Sequence, residues 1–122
     1  MSDDGTPLSV SSERRDDTIV ITVSGQLDLS VVQELDAVLA DGAVDGARGV
    51  VVDMAELEFM DSSGLRTLLL SANRFETAGL PWAVALRKES PVRRLLTLSG
   101  VEARLPVFSS REEAVGSLSS GG

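Results

Sequence analysis

The chain has 122 residues, 43% of them hydrophobic and 25% charged, which fits one domain with a packed core. Its formal net charge of −8 disfavours nucleic acid and anionic membranes as partners, because both attract basic surfaces. The chain contains no cysteine and no histidine, which excludes disulfides and any Ser-His-Asp or Cys-His mechanism within it, and we expect no cofactor and no metal.

The two ends are predicted to be flexible, with one domain between them. Residues 1–7 are polar and contain Gly5 and Pro7, and residues 119–122 form a Ser and Gly tail. The first four residues are acidic where a signal peptide would be basic, and no apolar run approaches ~18 residues. The sequence therefore predicts a cytoplasmic protein whose domain spans residues 8–118.

The first third of the chain predicts a hairpin followed by a helix. A weak strand at 8–14 and a β-branched strand at 18–24 flank a turn, which is typical of an antiparallel pair. Ser30 with Gln33 three residues on forms a capping box. The spacing of the apolar residues that follow predicts a helix over 31–41, closed by Gly42.

The middle of the chain predicts a central strand, a short acidic loop and a second helix. The run 49–54 is rich in valine, which indicates a strand buried on both faces. The acidic loop leads into a helix over 62–77, in which Leu65, Leu68, Leu69 and Ala72 face the core. Gly79 and Pro81 end this helix.

The last third predicts a strand at 82–86, a third helix, a short edge strand within 105–108 and a fourth helix. Ser90 caps the third helix, with Pro91 at its first position. Ser109 or Ser110 caps the fourth. The predicted fold class is α/β: a mostly parallel mixed sheet of four to five strands, an antiparallel N-terminal hairpin and about four helices.

The segment between the central strand and the second helix carries the most polar motif, Asp61-Ser62-Ser63-Gly64. Asp and Ser cap helices, because their side-chain oxygens accept hydrogen bonds from unpaired backbone N–H groups. A helix start is also positively polarised and tolerates an anion. This is therefore a place where a phosphate can be carried on a hydroxyl.

Three blocks of sequence resemble the anti-sigma factor antagonists, which are bacterial STAS-domain proteins. The first block is Phe59-Met60-Asp61-Ser62-Ser63-Gly64-Leu65, the second is Ser24-Gly25-Gln26-Leu27-Asp28, and the third runs from Ser90 to Gly100. The blocks occur in the order and at the spacing of the family. The resemblance extends from about Leu8 to Leu118 and implies a STAS-like fold.

The resemblance implies a binding protein controlled by phosphorylation, not an enzyme. In this family the unphosphorylated antagonist binds an anti-sigma factor that is also a serine kinase, which releases a sigma factor. The kinase phosphorylates the first serine of the motif, here Ser62, which switches binding off, and a serine phosphatase resets the protein. Ser63 is the second candidate for phosphorylation.

The resemblance also implies a partner-binding surface around the motif. The turn ending at Asp28 is expected near the serine, where its carboxylate repels a phosphate or positions the hydroxyl. Asp61 caps the helix or aligns the serine hydroxyl, and Gly64 permits either a close approach of another chain or a tight turn. The predicted surface consists of Asp28, Asp61, Ser62, Ser63, Gly64, Arg66, Leu70 and Asn73.

Two residues depart from the family pattern. Gln26 replaces the usual Glu, and Arg66 stands where Gly is frequent. Arg66 lies one helical turn after Ser62, so a phosphoserine there can pair with it.

Other interpretations remain at this point. The chain can be a STAS scaffold or a ligand-sensing module, or a receiver-like domain in which Asp53 accepts the phosphate. Asp53 with Glu56 and Glu58 resembles a carboxylate metal cluster, although such acids more often solubilise a loop. Trp82 is expected to be a packing residue, and Arg93 and Arg94 a solvated helix face.

Overall fold

In a computed structural model that describes residues 7–44 and 46–120, one five-stranded sheet forms the centre of the molecule, with strand order β1-β2-β3-β4-β5. The strands are β1 Ser9–Arg15, β2 Thr18–Leu27, β3 Gly49–Met60, β4 Trp82–Ala85 and β5 Val107–Phe108. The α-helices are α1 Val32–Val44, α2 Ser62–Thr77, α3 Pro91–Leu98 and α4 Arg111–Ser120. A 3₁₀ turn, Glu102–Arg104, precedes β5.

The predicted fold class is confirmed. Strands β1 and β2 pair antiparallel, from Ser9 opposite Ser24 to Arg15 opposite Thr18, while β2-β3, β3-β4 and β4-β5 are parallel. The β-α-β connections explain this pairing, because parallel strands need a crossover element between them.

The central strands are buried on both faces, as the run of valines in β3 predicts. Val50 and Val52 belong to the large core beneath α1, α2 and α3, while Val51 packs with Ala114 of α4 on the opposite face. Trp82 is a packing residue, as predicted, and its ring lies 5.3 Å from that of Phe75 in the large core. Three helices therefore cover one face of the sheet and one covers the other.

Two strands run further than the sequence suggests. The segment predicted as an acidic loop belongs to β3, which continues to Met60, and β2 continues to Leu27. Leu57 is buried between the exposed Glu56 and Glu58, so the acids mark the solvent face of a strand. The register between the two strands shifts between Thr22 and Ser24 and again between Gly25 and Gln26, and these irregularities obscure the alternation.

The bounds of two helices also differ from the prediction. Helix α1 passes through Gly42 to Val44, and α4 extends to Ser120, which includes part of the predicted tail. Residues 1–6 and 121–122 of the two predicted flexible ends lie outside the described ranges. Bounds for α2, Ser62–Thr77, agree with the prediction.

Arg93 is not part of a solvated face. Its guanidinium donates to the Leu86 carbonyl at 2.8 Å and pairs with Glu102 at 3.1 Å, while Arg94 is exposed as expected. Arg93 thus ties α3 to the end of β4 and to the 3₁₀ turn.

The start of α2 packs directly on the ends of β2 and β3 because Gly64 has no side chain. A Cβ at this position would lie 2.7 Å from Met60 Cγ and 2.8 Å from Leu27 Cδ2, which no real contact allows. Gly64 is buried, so its role is internal packing and not the approach of another chain.

We predict that Gly64→Ala destabilises the domain by about 1–3 kcal/mol, because the added methyl overpacks the junction of α2 with Leu27 and Met60. Urea unfolding followed by circular dichroism measures this free energy. Gly116→Ala is the matched control, since its Cβ would meet nothing within 4 Å and an exposed helical Gly→Ala change stabilises by about 0.5–1 kcal/mol. Equal free energies of unfolding for the two variants would contradict the packing role.

Candidate functional site

The candidate site lies where the parallel strands β2 and β3 end at the same edge of the sheet. The Asp61 backbone N–H donates to the Leu27 carbonyl at 3.1 Å, which joins the end of β2 to the start of α2. The turn ending at Asp28 is therefore adjacent to the serine motif, as the resemblance implies.

The Asp61 side chain organises this edge as the N-cap of α2. Its Oδ1 accepts from the backbone N–H groups of Ser63 at 2.9 Å and Gly64 at 3.3 Å and from the Ser63 hydroxyl at 2.5 Å. Its Oδ2 accepts from the Leu29 backbone N–H at 3.3 Å. One carboxylate therefore holds both the first turn of the helix and the loop after β2.

These bonds lower the pKa of the Asp61 carboxyl below its ordinary value. The Ser63 hydroxyl contributes most, and the backbone N–H groups of Gly64, Ser63 and Leu29 add to it, whereas partial desolvation acts in the opposite direction. Each of these donors stabilises the ionised carboxylate. The cap is thus charged and fully formed at neutral pH.

The two serines of the motif have different environments. Ser63 is half-buried, and its hydroxyl donates to Asp61. Ser62 is exposed at the first position of α2, and its hydroxyl makes no hydrogen bond to any residue that the structure describes. Of the two roles expected for Asp61, the N-cap is confirmed, and the hydroxyl that it engages is that of Ser63 rather than that of Ser62.

Asp28 is half-buried and holds its own turn together. Its Oδ1 accepts from the Ser30 backbone N–H at 3.0 Å and from the Ser30 hydroxyl at 2.6 Å. The predicted capping box of Ser30 and Gln33 is wrong, because α1 begins at Val32 and the Ser30 hydroxyl bonds back to Asp28.

The outer face of α2 carries an exposed stripe that begins at Ser62. Residues three or four apart are neighbours on a helix surface, and Arg66, Leu70 and Asn73 follow Ser62 at successive steps of four, four and three residues. All four side chains are exposed, with Leu70 51% accessible. We call this set the α2 stripe: Ser62, Arg66, Leu70 and Asn73. It spans about 16 Å along the helix axis.

Two exposed apolar residues beside the motif were missed by the sequence analysis. Leu29 is 73% accessible and lies against Asp61 through its backbone N–H, and Phe59 is 47% accessible two residues before Asp61. The sequence signal for Leu29 was its place between Asp28 and Ser30, because a large apolar residue in a polar turn is expected to be exposed. Leu29 therefore adds apolar surface next to the Asp61 cap, and Phe59 adds it at the end of β3.

Asp53 has a structural role on the far side of the sheet. It is buried, and its Oδ2 accepts from Arg111 Nε of α4 at 2.7 Å, while Arg111 Nη2 donates to the Thr22 hydroxyl at 3.1 Å. Its Oδ1 accepts from the Ala55 backbone N–H at 3.0 Å, at the register shift of β3. Asp53 is thus not open to a phosphate donor, and within residues 7–44 and 46–120 no group of three acidic residues is placed to hold a metal ion.

Comparison with known proteins identifies the family. Residues 9–114 match the STAS domain, and the chain belongs to the STAS domain family. BtrV of Bordetella bronchiseptica, provisionally named an anti-sigma factor antagonist, is 29% identical over 108 residues, which are 88% of this chain and 91% of BtrV. In the described part of the chain, no helix is long and apolar enough to cross a bilayer.

Solved structures share the fold. The crystal structure of an anti-sigma factor antagonist from Mycobacterium paratuberculosis superposes with a TM-score of 0.81 at 22% identity, covering 92% of this chain and 94% of that one. The unphosphorylated form of the anti-sigma factor antagonist SpoIIAA gives a TM-score of 0.75 at 23% identity, covering 92% and 97%. A Bacillus SpoIIAA structure in the phosphorylated form gives 0.67 at 24% identity, covering 90% and 99%.

We predict that Asp61→Ala destabilises the domain by about 1–2 kcal/mol at pH 7, because it removes the N-cap of α2. Asp61→Asn is the milder control, since its amide retains one acceptor but cannot accept from Leu29 N–H and Ser63 N–H together.

The pH dependence of stability, compared between the parent and Asp61→Asn, tests the charge of Asp61. Because the folded pKa of Asp61 is lowered, its stabilisation is complete above the unfolded pKa of about 3.9 and is lost as pH falls through the folded pKa. The difference in free energy of unfolding between the parent and Asp61→Asn should therefore narrow below about pH 4. A difference that stays constant from pH 6 to pH 3 would show that the charge of Asp61 does not matter.

Proposed function

We propose that this chain is an anti-sigma factor antagonist that binds an anti-sigma factor serine kinase and is released when that kinase phosphorylates Ser62. The observation that carries the proposal is the exposed, unbonded Ser62 hydroxyl at the start of α2, beside a half-buried Ser63 whose hydroxyl is held by Asp61. Of the two serines, only Ser62 offers its oxygen to another protein without breaking an existing hydrogen bond.

Family membership and the relatives support the same function. The chain is a STAS domain by sequence, BtrV carries the provisional name of anti-sigma factor antagonist, and SpoIIAA has been solved in an unphosphorylated and in a phosphorylated form. The proposed partners are an anti-sigma factor kinase and a serine phosphatase in the cytoplasm.

The proposed docking surface is the α2 stripe together with Asp28, Leu29 and Phe59. Apolar side chains at Leu29, Phe59 and Leu70 supply area that a partner can desolvate, and Arg66 supplies the one cation of the set. Asp61 and Ser63 support this surface through the hydrogen bonds between them at the start of α2. The buried Gly64 lets α2 lie close to the sheet.

The chemistry belongs to the partner. The kinase transfers the γ-phosphoryl group of ATP to Ser62 Oγ, the hydroxyl proton is lost and ADP leaves; the phosphatase later hydrolyses the phosphate ester. This chain is the substrate and the binder, and it contributes no catalytic residue.

A phosphate at Ser62 is expected to change the surface of the domain and to leave its fold intact. It adds about −1.5 to −2 charges and three acceptor oxygens, and the positively polarised helix start accommodates an anion. The partner, however, must now desolvate that charge in the middle of its contact area. Loss of docking with retention of structure is the expected result.

The test compares Ser62→Ala, Ser62→Asp and Ser63→Ala with the parent, by calorimetry against the cognate kinase and by mass spectrometry after incubation with kinase and ATP. We expect Ser62→Ala to bind like the parent but to accept no phosphate. Ser62→Asp should bind about 5–150-fold more weakly.

Ser63→Ala is the matched control, and we expect it to be phosphorylated at Ser62, although loss of its bond to Asp61 slightly destabilises the cap. Equal affinities for the Ala and Asp variants at position 62 would overturn the proposal. Phosphate found on Ser63 in the parent would overturn the choice of serine.

A further inference from the structure

Arg66 has the position and the freedom to act on a group attached to Ser62. It lies four residues after Ser62 on the same exposed face of α2, where Cβ atoms of such pairs are about 5–6 Å apart. Among the described residues its guanidinium makes no ion pair and no hydrogen bond. The other cation of α2, Arg74, is half-buried and pairs with Asp36 of α1 at 3.6 Å.

The nearby carboxylates do not compete for Arg66 in the free chain. Both oxygens of Asp61 accept from the backbone and from Ser63, and Asp28 accepts from Ser30. Both carboxylates are engaged in hydrogen bonds within their own turns. The guanidinium of Arg66 is therefore available to bind a phosphate on Ser62.

We propose that Arg66 forms an intramolecular ion pair with the phosphate on Ser62, so that phosphorylation masks Arg66 at the same time as it adds negative charge. This inference rests on the proposed phosphorylation of Ser62. A guanidinium fits a phosphate with two parallel N–H···O bonds, and such charge-assisted pairs are stronger than neutral hydrogen bonds.

The pair changes two members of the α2 stripe in one event. Before phosphorylation the stripe offers a partner one positive charge and a hydroxyl; afterwards it offers a phosphate whose charge is partly neutralised and an arginine that no longer extends toward solvent. A partner that recognises Arg66 through an acidic group loses that contact, and this loss adds to the charge placed at Ser62.

The experiment uses the full chain with phosphoserine installed at position 62 during translation, so that no kinase is needed. The ³¹P NMR chemical shift, followed from pH 5 to pH 8, reports the second pKa of the phosphate. Arg66 favours the dianion, so we expect Arg66→Ala to raise this pKa by a few tenths of a pH unit. Arg66→Lys should restore part of the difference, because it keeps the charge without the planar fork.

Arg94→Ala is the matched control, since it removes one exposed arginine from α3 and leaves α2 intact. Asp28 and Asp61 lie at the same edge of the sheet as Ser62, but they are present in every variant and do not affect the comparison. Identical phosphate pKa values in the parent, Arg66→Ala and Arg94→Ala would overturn the proposal. That result would not bear on whether a kinase modifies Ser62, and an unmodified Ser62 in kinase assays would not alter the pKa comparison.

Discussion

The geometry of the site depends on one carboxylate, that of Asp61. Its two oxygens bind the first turn of α2 through Ser63 and Gly64 and the loop after β2 through Leu29. It engages the second serine of the motif, while the first faces solvent at the start of the helix. The distinction between two chemically identical neighbours therefore arises from helix capping and not from a dedicated binding pocket.

The elements around this cap hold its position firmly. Gly64 brings α2 into contact with the side chains of Leu27 and Met60, and the parallel pairing of β2 and β3 brings Asp28 and Asp61 to one edge of the sheet. On the opposite face, Arg111 and Asp53 fix α4 at the register shift of β3. These contacts do not involve the Ser62 side chain, so a charge added there can act on a partner without breaking them, which is the physical basis of the proposed switch.

Local signals predicted the parts of the fold that depend on local chemistry. The bounds of α2 were predictable because Asp61 is a strong N-cap residue and Gly79 follows the end of the helix, and the Ser90-Pro91 start of α3 was predictable for the same reason. The end of β3 was not predictable. Glu56 and Glu58 are typical of a loop, and only the pairing of this segment with β2 shows that they belong to a strand.

Contacts between residues that are far apart in the chain could not be predicted from the sequence. Asp53 and Arg111 are 58 positions apart, and no local pattern connects them. The reason for glycine at position 64 also depends on Leu27 and Met60, which meet only in the fold. Likewise, the resemblance ranked Ser62 ahead of Ser63, but the physical difference between them, the hydrogen bond from the Ser63 hydroxyl to Asp61, is visible only in the fold.

The central claim is that a phosphate on Ser62 alters a surface and leaves the fold unchanged. The most direct measurement is a comparison of ¹H–¹⁵N correlation spectra of the unmodified chain and of the chain carrying phosphoserine at position 62. The account predicts shifts confined to the loop at 28–30 and to the first two turns of α2, with β3, β4 and α4 unaffected. Widespread shifts through the sheet would show that the phosphate acts by changing the fold, and would contradict this account.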